Sequence, residues 1–150
     1  VGRKMPMHTG RLLKSFFHIV KEYLEKNSFN YNLNEFMPPL IKSFGRLQQV
    51  TSFIASKGLN NPEEAAGPAT DYLKMFSLVA IGYVWTQYAE ISFNKQNDDP
   101  EGFYKAKIAS GKYYMLKILP ETGSIMSSIL SGANYYNDFD DEYFDSGFIL

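Results

Sequence analysis

The feature that most limits what this chain can become is its apolar periodicity. Bulky apolar residues recur every three to four positions in four long stretches, and no useful run alternates every second position. A first helix is expected from a Thr9 cap to about Asn27, with Leu13, Phe16, Phe17, Val20, Tyr23 and Leu24 on its apolar face. The aperiodic NSFNYNLN that follows reads as a connecting loop. A second helix takes hold by Pro38–Pro39, carries Leu40, Phe44, Leu47, Val50 and Ile54, and stops at Gly58.

Asn61-Pro62-Glu63-Glu64 is a helix-start signal, joining a capping residue, a first-turn proline and two carboxylates at the positive end of the dipole. The longest helix follows, with Ala65, Ala69, Tyr72, Leu73, Phe76, Val79, Ala80, Tyr83, Val84 and Ile91, to about Asn94, and Pro68 should bend it or delay its regular start. Asp98-Asp99-Pro100-Glu101 repeats the signal before a fourth helix bearing Phe103, Ala106, Ala109, Ser110, Tyr113 and Leu116, until Leu119-Pro120. A short fifth helix spans roughly Ser124 to Leu130 and ends at Gly132. The expected fold is all-α: an antiparallel four-helix bundle over about 9–132, with a short fifth helix and an acidic, aromatic C-terminal tail over 133–150. We expect Leu13, Val20, Leu47, Ile54, Leu73, Phe76, Ala80, Ala109 and Leu116 to be buried together.

At 150 residues the chain reads as a single domain, able to bury roughly 68–70% of its unfolded surface. The absence of cysteine removes disulfides, thiol nucleophiles and Cys-ligated metals, and fits a reducing compartment, here the cytoplasm. A net charge of −1 argues against nucleic-acid binding. Basic residues nevertheless gather in 1–50, which holds eight Lys/Arg against three Asp/Glu. The charge-free stretch of 15 residues between Lys74 and Glu90 is too short for the about 20 that span a membrane. The chain begins at Val1 rather than Met, which reads as the start of a piece of something longer.

Chemical motifs are few. Ser128, Asp71 and His18 supply the residue types of a triad, but no G-x-S-x-G elbow presents the serine. His8 and His18 are the only imidazoles, and their ten-residue spacing does not suit a helical metal site. His18 stands four residues before Glu22, as for a contact along one helix face. Asp138, Asp140, Asp141, Glu142 and Asp145 resemble a calcium loop only until position six, where Tyr143 replaces the required glycine. Tyr135, Tyr136, Phe139, Tyr143 and Phe144 make the same tail a candidate docking segment. Gly111-Lys112 lacks the upstream glycine of a phosphate loop, and the aromatic series Tyr72, Phe76, Tyr83, Trp85 and Tyr88 reads as core. No catalytic, cofactor-binding or metal-ligating residue is expected in this chain.

The opening VGRKMPMHTGRLLKSFF, AAGPATDYLKMFSLVAIGYVWTQYA and FYKAKIASGKYYMLKILP together resemble the C-terminal helical extension of a bacterial-type branch of the acyl-CoA dehydrogenase family. The most specific features are Gly2, Arg3 and Lys4; Asp71, Tyr72 and Leu73 with Trp85 and Ala89; and Phe103, Tyr104 and Lys107 leading to Leu119 and Pro120. The resemblance implies a parent enzyme that uses FAD to oxidise the Cα–Cβ bond of an acyl-CoA. In such enzymes the proton-abstracting glutamate lies in an I-Y-E-G-T-like stretch before the G-R-K segment, and that stretch is not in this sequence. No catalytic or flavin residue therefore transfers onto it, and Glu22, Glu25 and Glu35 stand in no matching motif. The chain is expected to be an accessory C-terminal fragment of a larger enzyme, partnered by the catalytic part or by a second copy. Arg3, Lys4, Arg11 and the aromatic tail are its expected contact region. A free-standing helical interaction module is the alternative.

Overall fold

The computed structural model describes residues 10–60 and 68–131. All regular structure among them is helical: α1 (Gly10–Lys26), α2 (Met37–Asn60), α3 (Ala69–Lys95), α4 (Phe103–Tyr113) and α5 (Glu121–Leu130). Short 3-10 turns at Tyr31–Leu33 and Gln96–Asp98 lie in the connections, and a π-helical turn, Tyr114–Ile118, continues α4 toward α5. The Thr9 cap, the start signal at 61–64 and the tail 133–150 lie outside the described residues.

Cross-chain contacts set the directions. Phe16 meets Phe76 and Tyr23 bonds Glu90, so α1 runs parallel to α3. Thr51 reaches Tyr72 while Phe36, just ahead of α2, reaches Phe93, so α2 is antiparallel to α3. Lys95 lies over Tyr104 and Gly82 faces Leu119, which makes α4 antiparallel as well. The result is an antiparallel four-helix bundle whose fourth member is bent. α4, the π turn and α5 form one path, so the short fifth helix is the far limb of the fourth.

The bend has a local cause. Pro120 has no N–H to offer the carbonyl four residues back, and the preceding turn widens so that Leu119 N–H reaches the Tyr114 carbonyl at 2.9 Å. The bend lets one chain segment serve both halves of the core. Tyr114, Met115 and Leu119 join Leu33, Phe36, Met37, Leu40 and Ala89 in one cluster. Ile125 and Ile129 join Val20, Leu47, Val50, Ile54, Met75 and Val79 in the other.

The asparagine-rich loop is ordered by its own side chains. Asn30 accepts from Asn32 N–H, Asn27 donates to the Tyr23 carbonyl, and the resulting turn drives Leu33 and Phe36 into the core with no exposed surface. At the connection from α3 to α4 the helix starts at Phe103, later than Pro100. Gly102 takes a left-handed φ of 79° before it, and the Asp99 carboxylate accepts from Tyr104 N–H.

The expected core is right in period and partly wrong in phase. Val20, Leu47 and Ile54 are buried, and Leu13, Phe76 and Ala80 are half-buried. Leu73 and Leu116 are 57% and 63% exposed, and Ala109 is exposed too. On α3 the buried positions are instead Tyr72, Met75, Val79, Gly82, Thr86, Ala89 and Ser92. Small side chains at 82, 86, 89 and 92 let α4 come close. A Cβ at Gly82 would already stand 3.3 Å from Leu119, and one at Gly111 would stand 2.8 Å from the Phe36 ring. α1 is held differently, by larger rings that meet edge to face: Phe17 on Phe44 at 5.6 Å and Tyr23 on Tyr83 at 5.2 Å.

Urea unfolding checks this phase. Met75→Ala should cost about 2–5 kcal/mol and Leu73→Ala less than about 0.5 kcal/mol. Gly111→Ala should cost about 1–3 kcal/mol, because the buried Phe36 ring must shift to admit the methyl, despite alanine's better helix propensity.

Candidate interaction surface

The residue types that suggested chemistry are not brought together. His18 Nε2 lies 3.0 Å from Glu22 Oε1, the expected contact along one exposed helix face. Ser128 is exposed on α5, Asp71 stands in the first turn of α3, and no hydrogen bond joins either to His18. Lys112 pairs with Glu35 at 2.9 Å, while the neighbouring Gly111 seats its bare backbone between Phe36 and Trp85. Close packing therefore accounts for that glycine. Among the described residues, no group of three or more His, Asp or Glu side chains could hold a metal ion.

The outward side of α3 is what the fold leaves unusual. Leu73, Ile81, Val84, Tyr88 and Ile91 are between 40% and 57% exposed, and they recur at helical spacing on the side opposite the buried stripe. α4 does the same, presenting Phe103, Ala109, Tyr113 and Leu116 to solvent while Ile108 and Gly111 face the core. Between the two helices lies an open groove of about 450 Å³, lined by Trp85, Ala109, Ser110, Tyr113, Tyr114 and Ile118. These exposed apolar residues make this side of the fold the candidate interaction surface.

One lysine is held over the groove residue Trp85. The Lys107 ammonium sits 5.8 Å from the Trp85 ring centre, 5.8 Å from Tyr88 and 5.4 Å from Phe103. The rings hold the charge by their negative faces. Trp85, Phe103 and Lys107 also carry the family resemblance, and the fold sets them side by side. Of the aromatic series expected in the core, Tyr72 is buried and Phe76 and Tyr83 pack against the core. Trp85 packs against it as well, yet also lines the groove, and Tyr88 is 47% exposed. Arg11 is exposed at the start of α1, and Arg3, Lys4 and the tail lie outside the described residues.

The family model described as "Acetyl-CoA dehydrogenase C-terminal like" matches residues 16–140. The chain belongs to that family. It is an accessory C-terminal helical domain of an acyl-CoA dehydrogenase. Among curated proteins, none matches its sequence. For a domain of this family, the outward stripe at Ile81, Val84, Tyr88 and Ile91 is the feature that periodicity alone missed. Its signal was the charge-free run from Lys74 to Glu90, too uniformly apolar for a helix with one wet face.

Two polar contacts inside this acyl-CoA dehydrogenase domain are made by tyrosine hydroxyls. Tyr114 Oη donates to the Leu78 carbonyl at 2.6 Å, and burial pushes its phenol up to about 12. Tyr23 donates to Glu90 at 2.7 Å, and burial, then this hydrogen bond and the carboxylate's charge, raise its phenol also. The folded state thus favours neutral phenols. For Tyr114 that stabilisation is whole below pH 10, the ordinary tyrosine value, and is lost as the pH rises toward about 12. Tyr114→Phe should lose about 1 kcal/mol below pH 10 with its hydrogen bond. Between pH 10 and 12 it should show a shallower further loss than the native chain, read from urea midpoints across that range.

Proposed function

We propose that the parent dehydrogenase uses FAD to remove hydrogen across the Cα–Cβ bond of an acyl-CoA, and that this domain contributes no catalytic, flavin-binding or metal-ligating residue. Its role is to brace the catalytic part or the oligomer. The observation that carries this reading is the apolar ridge of Leu73, Ile81, Val84 and Ile91 on the outer side of α3. Such a ridge is what a helix shows when further protein covers its second face.

The chemistry supports the same division of labour. Abstracting a proton beside a thioester requires a carboxylate within about 2.6–3.2 Å of its target, opposite a flavin. Glu22 and Glu35 are engaged by His18 and Lys112 on exposed surface, and Glu90 is engaged by Tyr23. No helix among the described residues is long and apolar enough to cross a membrane. With no cysteine in the sequence, the cytoplasm is the proposed location.

The ridge is tested by sedimentation of the chain, alone and mixed with the catalytic part of the parent. The native chain should associate with itself or with that part. Ile81→Asp/Val84→Asp should weaken association at least about tenfold, equivalent to about 1.4 kcal/mol, while leaving the helical circular dichroism intact. Strictly monomeric behaviour without binding to the catalytic part defeats the bracing role. The purified chain should also be colourless and should not reduce an electron acceptor when given acyl-CoA and FAD. Flavin absorbance that survives desalting defeats the catalytic half of the reading.

A further inference from the structure

We propose that two copies of this chain pair by exchanging loop tips: Phe29 and Tyr31, in the α1–α2 connection of one copy, enter the groove between α3 and α4 of the other, and the reverse. This contact stands apart from the bracing role, which uses the outer ridge of α3. Phe29 is 99% exposed and Tyr31 82%, more than any other large apolar side chain among the described residues. A loose loop would account for that exposure, but this one is held by its own polar groups. Ser28 Oγ donates to the Glu25 carbonyl at 3.0 Å, Asn30 Nδ2 donates to Asn27 Oδ1 at 3.3 Å, and Asn30 Oδ1 accepts from Asn32 N–H at 3.2 Å. Leu33 and Phe36, with no exposed surface, anchor the far side. The two rings are therefore presented in a fixed place, and the ordering that binding requires is already done.

The groove takes rings of this size. A cavity of about 150 Å³ suffices for one benzene ring, and the groove's volume of about 450 Å³ leaves room for Phe29 and Tyr31 against Trp85, Tyr113 and Tyr114. Segment 27–34 carries no charged residue, so its tip enters without desolvating an ion. A groove-on-groove pairing would instead bring together the Lys107 ammonium groups of the two copies, each held beside its own Trp85.

Area requires that the exchange be reciprocal. Two rings exposed to this extent give each tip about 300–400 Å² to bury, matched by about as much groove wall, so that one contact removes about 600–800 Å² from water. That falls short of the about 1,200–2,000 Å² of a specific interface, whereas two such contacts reach it. The pair is therefore two-fold, with the same two patches used on each copy.

Trp85, the only tryptophan of the chain, lines the groove and reports on its occupant. As the native full chain pairs with rising concentration in sedimentation, acrylamide quenching of Trp85 should fall about twofold, because the second copy's rings exclude the quencher. Two variants each remove one half of the contact at exposed positions: Phe29→Ser/Tyr31→Ser takes away the tip, and Ala109→Arg blocks the groove. Each alone should pair at least about tenfold more weakly than the native chain, with unchanged helical circular dichroism. An equal mixture of the two restores one intact tip and one intact groove, so it should pair more tightly than either variant alone and shield Trp85 in part. Neither variant alters Leu73, Ile81, Val84 or Ile91, so their effect is distinct from that of the ridge. Trp85 quenching in the native chain that does not change with concentration, or a tip variant that pairs as tightly as the native chain, overturns the proposal. A mixture that pairs no more tightly than its components also overturns it, because tip and groove then do not meet.

Discussion

Close approach between α3 and its neighbours is the constraint on which the rest of this structure depends. Gly82, Thr86, Ala89 and Ser92 give α3 a shallow face, and Gly111 gives α4 a matching one. Leu119 and Tyr114 fill the space at Gly82, while Phe36 and Trp85 fill it at Gly111. Because the backbones lie so near, the polar groups on that face need partners that do not force them apart. Thr86 meets this by donating back to the Gly82 carbonyl at 2.8 Å, and Tyr114 by reaching the Leu78 carbonyl.

The same constraint explains the surface. Small residues take the inner face of α3, and the large apolar residues of that helix are left to point outward. Burial of Tyr72, Met75 and Val79 anchors the half of α3 that α5 covers, and Ala89 and Ser92 accommodate the other half. The helix is consequently apolar on both sides, which is the feature the proposed bracing role rests on.

The bent fourth helix reconciles two packing demands. Its first limb must lie close against the small-residue half of α3, whereas its second limb must bring Ile125 and Ile129 to the cluster around Val50 and Ile54. Pro120 and the widened turn before it supply the change of direction at the boundary between clusters. The groove at Trp85 opens beside that turn, with Ile118 in its lining. Its position follows from the packing and not from any local motif.

Helix number, order and approximate ends were legible in the sequence, because apolar spacing, prolines and capping residues act locally. Family membership was legible too, in Trp85, Phe103, Tyr104, Lys107 and Leu119-Pro120. Burial on α1 and α2 followed directly, since charged residues mark their wet sides and leave Val20, Leu47 and Ile54 only one way to face. On α3 and α4 no such marking exists. Leu73, Ala109 and Leu116 have the same spacing as core residues, so periodicity assigned them inward. Only the tertiary structure decided the phase, because what selects the inner face there is the distance between helix axes. A glycine, an alanine and two hydroxyl side chains permit an approach that leucine and isoleucine would prevent, and a pattern of hydrophobicity carries no record of that distance.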